Sequence, residues 1–408
     1  MKLLYLNVGA EMGGAERALL DLLSAVRRAR PAWELTLLLG QDGPLATHGR
    51  DVVDDVVVLP FPAKLARLGD ARLSRGLGSL DGIRLLRRVM VDGAASASYV
   101  RQLGQTVARI NPDVMHAHGF KMQLLGALTR PRNTALVWHL HDYIGSRPLT
   151  SRLLKAVRRR CTAVVANSDS VAADAAHELG SGVDIRTIHN IVDLSRFNPE
   201  GPTLDLDALA GMPAPQAGTI RVGLVATFAR WKGHLTFLDA LAKLGSRFAI
   251  RGYIVGGPVY QTDGSQHTLA ELQEAVRRLG LESTVGFTGF VADSAAAMRT
   301  LDVVVHSSTE PEPFGLAIAE AMATGRPVIV SYGGGARELV TPGVDALIHQ
   351  PGDADGLANA VAMLAGDPAL RSRLGLAARV SAGQRFDPVR AQEQLLRLYS
   401  AFNRPAAA

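Results

Sequence analysis

The chain alternates apolar strand patterns with amphipathic helix patterns, and it does so in two successive series. The first series begins with a strand at Leu3–Val8 and a helix at Ala15–Arg28, and it ends with a strand at Ala163–Asn167. The second begins with a strand at Arg221–Thr227 and includes a strand at Pro327–Ser331. Such alternation predicts parallel sheets with helices on both faces. We therefore expect an α/β protein of two doubly wound, Rossmann-like domains, which a length of 408 residues also favours.

A Pro- and Gly-rich stretch at residues 199–218 separates the two series. This composition is typical of a connection between domains. We place the first domain at residues 1–192 and the second at residues 193–387. Ligands of doubly wound sheets bind outside the carboxyl ends of the strands, so functional residues are expected on the loops that follow the strands.

The single cysteine, Cys161, excludes an intramolecular disulfide and a metal site built from several cysteines. It favours a reducing compartment. No apolar run reaches the ~18–20 residues that span a bilayer. The apolar start at Leu3–Leu6 is too short for a signal peptide and indicates a first buried strand. We therefore expect a cytoplasmic protein.

Two carboxylates, Glu312 and Glu320, lie on either side of a predicted helix start. Pro313 interrupts the preceding loop, and Leu316–Ala323 has the pattern of an apolar helix. Backbone amides in a first helical turn have no intrahelical partner and bind anions, phosphate above all. The amides concerned are those of Phe314, Gly315 and Leu316. Two unrelated surface glutamates are the alternative, but a diphosphate between carboxylates that accept sugar and ribose hydroxyls is the favoured interpretation.

At these residues the chain resembles the retaining glycosyltransferases of family 4, whose signature is Glu, seven residues, Glu. The resemblance extends over nearly the whole chain and implies the architecture called GT-B, in which two such domains flank a cleft. It also implies that the last helix, at about residues 388–408, packs back on the first domain. By the same resemblance, Glu312 contacts the donor sugar and Glu320 contacts the nucleotide ribose.

Gly13 and Gly14 lie between the first strand and the first helix, in a Gly-Gly-x-Glu sequence. Glycines allow the backbone to approach a ligand closely, and the helix start adds free amides. A simple strand-to-helix turn is the alternative. The family has the same sequence facing the donor phosphate, which implies that both glycines bind the donor. The full G-x-G-x-x-G pattern is missing, which argues against NAD.

Arg230 and Lys232 follow the first strand of the second domain. A cation pair at this position can neutralise a diphosphate leaving group, with lysine as a point charge and arginine as a planar fork. A solvated basic loop is the alternative. The family has Lys-Gly here with an arginine about five residues earlier, whereas this chain has Thr227 at that earlier position.

Two further loops complete the predicted donor site. Gly334 and Gly335 belong to a run of three glycines that can form a concave nest of amides, although a surface loop would have the same composition. The resemblance implies that this run lies beside the donor sugar and phosphates. It also implies that Val291 lies near the nucleobase, through backbone contacts that do not identify the base.

Four histidines end two predicted strands, and alternation puts each pair on one face of the sheet: His116, His118, His139 and His141. Metal binding is one interpretation. The resemblance argues against it, because retaining enzymes with this architecture work without a metal. It implies that His141 contacts the donor sugar and that His118 lies on the acceptor side. We expect His139 to be a core residue with its hydrogen bonds satisfied.

The pairs Asp205/Asp207 and Asp353/Asp355 have the spacing that binds manganese in the other major glycosyltransferase architecture. Both occur in loop-like segments away from the predicted site. We interpret them as chance occurrences.

Positive charge is concentrated in the first half of the chain. Residues 1–195 contain 25 Lys and Arg against 18 Asp and Glu, within a net charge of +6 for the whole chain. The basic stretches at 64–88 and 147–160 predict contact with an anionic membrane surface, with a solvated helix face as the alternative. Aromatic residues are too sparse to indicate stacking on nucleic-acid bases.

The resemblance implies a retaining glycosyltransferase. Its donor would be a nucleotide diphosphate sugar, with UDP-sugars favoured and GDP-mannose next, and its acceptor a glycan, a lipid-linked saccharide or a small metabolite. Neither a metal nor a further cofactor is expected. Two alternatives stay open: a nucleotide-sugar epimerase on the same fold, and a non-catalytic nucleotide-sugar-binding protein. Peripheral attachment to the inner face of the membrane is expected if the basic half binds lipid.

Overall fold

The computed structural model describes residues 1–62, 93–259 and 264–402. The chain divides into two compact units, one made of Met1–Ile191 with the C-terminal helix from Val389, and the other of Val192–Pro388. Each unit contains one parallel sheet. No helix within the described ranges is long and apolar enough to cross a bilayer.

The first unit has a seven-stranded sheet in the order β3-β2-β1-β4-β5-β6-β7. Its strands are β1 Lys2–Asn7, β2 Glu34–Leu39, β3 Asp55–Val58, β4 Val114–His118, β5 Ala135–Leu140, β6 Ala163–Ala166 and β7 Ile185–Thr187. The order reverses direction at β1, and this reversal defines a doubly wound sheet. Loops at the carboxyl ends of β1 and β4 are therefore where a ligand site is expected.

Helices cover both faces of this sheet: α1 Gly14–Ala29, α2 Pro44–Gly49, α3 Gly93–Ile110, α4 Phe120–Thr129, α5 Pro148–Val157, α6 Asp169–Leu179 and, from the chain's end, α15 Pro388–Ser400. Alternate residues of β1 enter two separate cores, with Leu3 and Tyr5 in one and Leu4 and Leu6 in the other. Tyr399 of α15 is fully buried in the first of these cores. Burial of both strand faces explains why these strands are almost wholly apolar.

The second unit has a six-stranded sheet in the order β10-β9-β8-β11-β12-β13. Its strands are β8 Ile220–Val225, β9 Ile250–Val255, β10 Val285–Gly289, β11 Val303–His306, β12 Val328–Ser331 and β13 Leu347–His349. Its helices are α7 Leu206–Leu209, α8 His234–Leu244, α9 Leu269–Arg278, α10 Ser294–Thr300, α11 Leu316–Ala323, α12 Ala336–Leu339, α13 Ala354–Gly366 and α14 Pro368–Arg385.

The prediction of two doubly wound α/β sheets is confirmed, and the predicted bounds of α11, Leu316–Ala323, agree with the structure. The sequence interpretation missed several elements: β7, β13, α2, α4, α5, α6, α7, α10 and α14. The α4 segment is apolar on nearly all sides, so it lacks the polar stripe that marks a surface helix. The basic stretch at 64–88 lies outside the described residues.

The Pro- and Gly-rich residues 199–218 belong to the second unit and contain α7. Asp207 of α7 is buried and forms ion pairs with Arg221 at 3.3 Å and with Arg251 at 2.6 Å. It also accepts a 2.7 Å hydrogen bond from the Tyr253 hydroxyl. This stretch is therefore anchored to β8 and β9.

Candidate active site

Lys232 and Glu312 form an ion pair in the second unit. The Lys232 Nζ donates to both Glu312 carboxylate oxygens, at 2.9 and 2.8 Å. The same carboxylate accepts from the Ser308 hydroxyl at 2.7 Å and from His306 Nε2 at 3.1 Å. Burial alone would raise the pKa of the Glu312 carboxyl, but the Lys232 charge and the His306 hydrogen bond hold it well below its usual range. Glu312 is therefore an ionised acceptor held by three side chains.

The carboxyl end of β11 fixes the position of Lys232. The Ser307 hydroxyl donates to the carbonyls of Lys232 and Gly233, at 3.0 and 3.1 Å. Gly233 has φ +73°, and a Cβ there would lie 1.8 Å from the Ser307 carbonyl oxygen. Only glycine allows this approach, since any side chain would collide with the strand end. The Lys-Gly sequence thus places the ammonium beside β11.

Helix α11 begins directly after the Glu312 loop. Its N-cap is Gly315 in the left-handed region, with φ +101°. The amides of Gly315, Leu316 and Ala317 donate no hydrogen bond to any residue in the described ranges. Free first-turn amides and the positive end of the helix dipole favour an anion, and anion binding at this helix start stays a prediction. Glu320 lies in the next turn of α11 and is buried.

The Phe314 side chain anchors the loop that precedes α11, and donor binding by the Phe314 amide stays a prediction. Its ring is buried in the core of the second unit, 6.1 Å from the ring of Phe386 in an edge-on contact. This anchor holds the loop between Glu312 and Gly315 against the unit's interior.

The three-glycine loop pairs with the Glu312 loop. Glu312 N–H donates to the Gly333 carbonyl at 3.4 Å, and Gly335 N–H donates to the Glu312 carbonyl at 2.7 Å. Glu312 and Gly334 form a parallel bridge. The structure therefore brings Gly334 and Gly335, both predicted to bind the donor, next to Glu312.

Arg230 is not part of this group. Its guanidinium pairs with Glu271 at 2.8 Å, donates to the Gly264 carbonyl at 3.1 Å and contacts His267 Nδ1 at 3.2 Å. Glu271 also closes the capping box at the start of α9. The guanidinium therefore points at α9, and a catalytic role for Arg230 stays a prediction.

Val291 lies two residues after β10, next to Phe290, whose ring is 65% exposed. Val291 itself is half-buried against the core of the second unit. The loop that contains Val291 is tied to the end of β9, because Gly256 N–H donates to the Gly289 carbonyl at 3.0 Å. A nucleobase contact by Val291 stays a prediction.

In the first unit, Gly13 is the N-cap of α1 and Gly14 is the first residue of the helix. Glu16 lies two residues after Gly14, and Asn7 Nδ2 donates to its carboxylate at 3.5 Å. Burial raises the pKa of the Glu16 carboxyl. A Cβ on Gly13 would lie 2.8 Å from a Glu16 oxygen, so glycine leaves room for that carboxylate. Donor binding by Gly13 and Gly14 stays a prediction.

The histidines at the ends of β4 and β5 form one cluster in the first unit. His118 Nδ1 and His141 Nε2 lie 3.1 Å apart. His141 is partly exposed, and burial lowers its pKa to about 4. The interpretation of His139 as a satisfied core residue is wrong, because neither ring nitrogen has a partner among the described residues. The ring is buried beside three other imidazoles, where no donor or acceptor reaches it.

Two family models match this chain. One, described as Glycosyltransferase Family 4, matches residues 12–196, and the other, described as Glycosyl transferases group 1, matches residues 219–367. Together they cover Gly13, Gly14 and the histidine cluster in one unit and the Lys232–Glu312 pair in the other. The chain belongs to glycosyltransferase family 4. The resemblance seen in the sequence is thereby confirmed.

Curated relatives match this family 4 member over part of their length. A lipopolysaccharide core biosynthesis glycosyltransferase of Rhizobium meliloti, LpsE, is 29% identical over 53% of this chain and 57% of its own. A GDP-mannose-dependent alpha-mannosyltransferase of Mycobacterium tuberculosis is 36% identical over 50% of this chain and 48% of its own. The chain thus spans about half the length of these relatives.

Solved structures match the family 4 chain over nearly its whole length. The crystal structure of Anabaena Alr3699/HepE in complex with UDP superimposes with a TM-score of 0.77, at 28% identity, and covers 98% of this chain and 100% of that one. The same protein in complex with UDP-glucose gives a TM-score of 0.78 at 27% identity. The predicted fold class, GT-B, is confirmed.

The two Asp-x-Asp pairs of this family 4 chain have structural partners. Asp205 caps α7 and Asp353 caps α13. Asp207 is held by arginines, and Asp355 pairs with Lys243 at 2.7 Å. Each of the four carboxylates already has a partner, which agrees with their interpretation as chance occurrences.

Two residues of the site were missed in the sequence, His306 and Ser308. Both contact the Glu312 carboxylate. A signal was present, since the two residues lie where β11 ends and ligand sites collect at such ends. Their function nevertheless depends on how the 309–315 loop folds back, which no local pattern indicates.

Proposed function

We propose that this protein is a retaining glycosyltransferase that transfers a sugar from a nucleotide diphosphate sugar to an acceptor hydroxyl in lipopolysaccharide or other glycan biosynthesis. The Lys232–Glu312 pair beside the open amides of α11 carries this proposal. It brings a positive charge from one loop of the second unit together with an ionised acceptor and an anion site at the start of α11. A nucleotide sugar presents the complementary groups: a diphosphate flanked by hydroxyls.

The donor diphosphate would be held by Lys232 and by the amides of Gly315 and Leu316. Negative charge on the diphosphate grows as the glycosidic bond breaks, so fixed positive groups stabilise the transition state more than the ground state. Lys232 would exchange one Glu312 oxygen for a phosphate oxygen. That oxygen of Glu312 would then accept a hydrogen bond from a sugar hydroxyl, and Glu320 would accept from the ribose. Gly334 and Gly335 would line the phosphate side of the same loop.

Retention would follow from attack by the acceptor on the face that the diphosphate leaves. The departing phosphate oxygen takes the acceptor proton, so no protein nucleophile or dedicated base is required. Glu312 is suited to orientation rather than to proton transfer, because Lys232 and His306 keep it ionised. We also propose that His141 contacts the sugar and that Arg230 joins the phosphate if it releases Glu271.

The positive charge supplied by Lys232 and the α11 amides supports a transfer step that needs neither a metal nor a further cofactor. A UDP-sugar is the favoured donor, because the HepE structures contain UDP and UDP-glucose. GDP-mannose is the next candidate, since one relative is named for its dependence on it.

We further propose a lipid-linked or glycan acceptor at an anionic membrane surface. Helix α5 exposes Leu149 and Leu153 one turn apart, with Arg152 and Lys155 beside them, and Arg159 follows the helix. Apolar and basic side chains on one exposed surface suit the interface of an anionic bilayer. The relative named for lipopolysaccharide core biosynthesis supports an acceptor of this kind.

The test is transfer by the purified chain, with EDTA present, from UDP-glucose, UDP-galactose, UDP-N-acetylglucosamine and GDP-mannose to core-type oligosaccharides. Proton NMR of the new anomeric centre reports the stereochemistry. We expect turnover of one donor with retained configuration, and Glu312→Gln should abolish it. An inverted product would contradict the retaining mechanism.

The same assay separates the two alternatives. An epimerised donor formed without any acceptor would instead indicate an epimerase. Calorimetric binding of a nucleotide that Glu320→Ala weakens, without turnover of any donor, would indicate a binding protein.

A further inference from the structure

Three histidines of the first unit form a compact, buried group. His118 on β4 is the register partner of His139 on β5, and His116 lies two residues before His118 on the same face. Their ring centroids are 4.7 to 5.1 Å apart. The three side chains are only 1–4% exposed. No Asp or Glu takes part in the group, which is made of imidazoles alone.

Hydrogen bonds fix the protonation of one ring. The Tyr399 hydroxyl donates to the Tyr5 hydroxyl, at 3.2 Å, and it also contacts His116 Nδ1. With the Tyr399 proton directed at Tyr5, the Tyr399 oxygen accepts from His116 Nδ1, and this arrangement favours the tautomer protonated at Nδ1. His116 Nε2 then bears a lone pair. That atom is buried and has no donor among the described residues.

The other two rings also have unused nitrogens. His118 Nε2 and both nitrogens of His139 have no hydrogen-bond partner within the described ranges. A buried polar group without a partner is destabilising, so this arrangement is unfavourable unless a ligand occupies these nitrogens. Burial, followed by the neighbouring imidazoles, lowers the pKa of all three rings, so they are neutral near pH 7. Neutral imidazole is the form that binds metals.

We propose that His116, His118 and His139 bind one divalent transition metal of the Zn²⁺ class. One ring nitrogen from each lies within 4.8 Å of the others. Tetrahedral Zn²⁺ with bonds of ~2.1 Å needs nitrogens about 3.4 Å apart, which requires the rings to turn towards a common centre. Imidazole suits Zn²⁺, Ni²⁺, Co²⁺ and Cu²⁺, whereas Mg²⁺, Ca²⁺ and Mn²⁺ prefer oxygen ligands.

Neighbouring groups complete the proposed site. Tyr399 holds His116 by its Nδ1, as the outer-shell partner of a metal-bound histidine does. A cavity of about 10 Å³, at the lower limit for holding one water, is lined by His139 and Asn190. The Asn190 Oδ1 has no partner in the described part of the chain and would accept from a metal-bound water there. This inference is independent of the proposed function, because none of the three ligands is assigned to the donor.

The experiment is a titration of the purified, metal-free full chain with Co²⁺ and Zn²⁺. Visible ligand-field absorption reports tetrahedral Co²⁺, and calorimetry gives stoichiometry and affinity for Zn²⁺. We expect one site per chain. His139→Phe removes one ligand and should weaken Zn²⁺ binding at least tenfold, and Tyr399→Phe should weaken it by about tenfold through the outer shell.

The matched controls are His48→Ala and His177→Ala, which remove exposed histidines outside the cluster. Both should bind Zn²⁺ like the unchanged chain. Circular dichroism confirms that each variant is folded, and Tyr399→Phe serves if His139→Phe is not. The proposal is overturned if the folded, unchanged chain binds no metal, or if the exposed-histidine variants lose binding while the cluster variants keep it.

Discussion

Lys232 and Glu312 are 80 positions apart in the chain, yet the lysine ammonium lies within 2.9 Å of both carboxylate oxygens. The carboxylate is almost fully buried, and the lysine side chain is 22% exposed. Neither charge would be tolerated at this depth without the other. The pair therefore couples the stability of the second unit to the chemistry of its site.

We predict that removing one partner is worse than removing both. Lys232→Met leaves a buried carboxylate unpaired and should destabilise the second unit by about 3 kcal/mol. Adding Glu312→Gln to Lys232→Met should recover much of this loss, while donor turnover stays absent. Chemical denaturation of Lys232→Met, of Glu312→Gln and of the double variant gives the coupling free energy between the two side chains. Equal and additive losses would show that the two side chains act independently.

Arg230→Met is the matched control for this cycle. Arg230 is also cationic and stands on the same turn, but its partner Glu271 is exposed, and exposed pairs contribute little. We expect the free energy of unfolding of Arg230→Met to equal that of the unchanged chain. Turnover by this variant decides the predicted catalytic role of Arg230: activity equal to that of the unchanged chain would remove it from the mechanism.

We predict that Gly233→Ala disrupts the site through the backbone. The new Cβ would lie 1.8 Å from the Ser307 carbonyl oxygen, and the residue has φ +73°. We expect a loss of at least about 2 kcal/mol in stability and a large loss of turnover, because Lys232 would move with the turn. Gly245→Ala is the control, since Gly245 also has positive φ (+53°) but nothing within 4 Å of its Cβ position. Similar losses in both variants would mean that strain alone is responsible.

The fold and the centre of the site could be predicted from the sequence because their signals are local. The strand–helix alternation specifies doubly wound sheets, and the residues between Glu312 and Glu320 specify where α11 begins. The contacts of His306 and Ser308 with Glu312 are not local. They form because β11 ends beside the 309–315 loop, and that placement is set by packing of the whole sheet.

The same reason explains Arg230. Two basic residues on one loop predict that both side chains bind the same anion. A long arginine side chain, however, pairs with the nearest acceptor that it can reach. That acceptor is Glu271 at the start of α9, which approaches through the turn at Gly264–His267. His139 shows the opposite error, since a buried strand histidine was expected to find a partner and lies among other imidazoles instead.

We predict that the basic surface of α5 binds anionic vesicles. Arg152→Glu with Arg159→Glu reverses two exposed charges there and should abolish cosedimentation with phosphatidylglycerol vesicles at low salt. The matched control reverses Arg247 and Arg278, two exposed arginines of the second unit. Both variants change the net charge by the same amount, so a difference in their vesicle binding reports the location of the binding surface. Equal loss in both, or binding to neutral phosphatidylcholine vesicles, would contradict the assignment to α5.

We predict that acid destabilises the second unit through His234. This side chain at the start of α8 is fully buried, and neither ring nitrogen has a partner among the described residues. Burial, then the nearby His267 and Lys232, lowers its pKa to about 3, from an ordinary value near 6.5. Between the two pKa values, the unfolded chain therefore binds a proton at His234 that the folded chain does not. The free energy of unfolding is unaffected by His234 above about pH 6.5 and falls as the pH is lowered below that value.

His234→Leu removes this proton-linked loss. Between about pH 6.5 and pH 5, the unchanged chain should lose about 2 kcal/mol through this residue, and the variant should not. The stability that comes from the depressed pKa of Glu312 is lost only at lower pH, as the pH falls below the usual range of a glutamate. The window between pH 6.5 and pH 5 therefore separates His234 from Glu312. Hydrogen exchange of the Val192–Pro388 amides, measured in the full chain at both pH values, reports the stability of the second unit. The change in that stability between the two pH values is compared for the variant and the unchanged chain. The same pH dependence in His234→Leu and in the unchanged chain would assign the acid sensitivity to other groups.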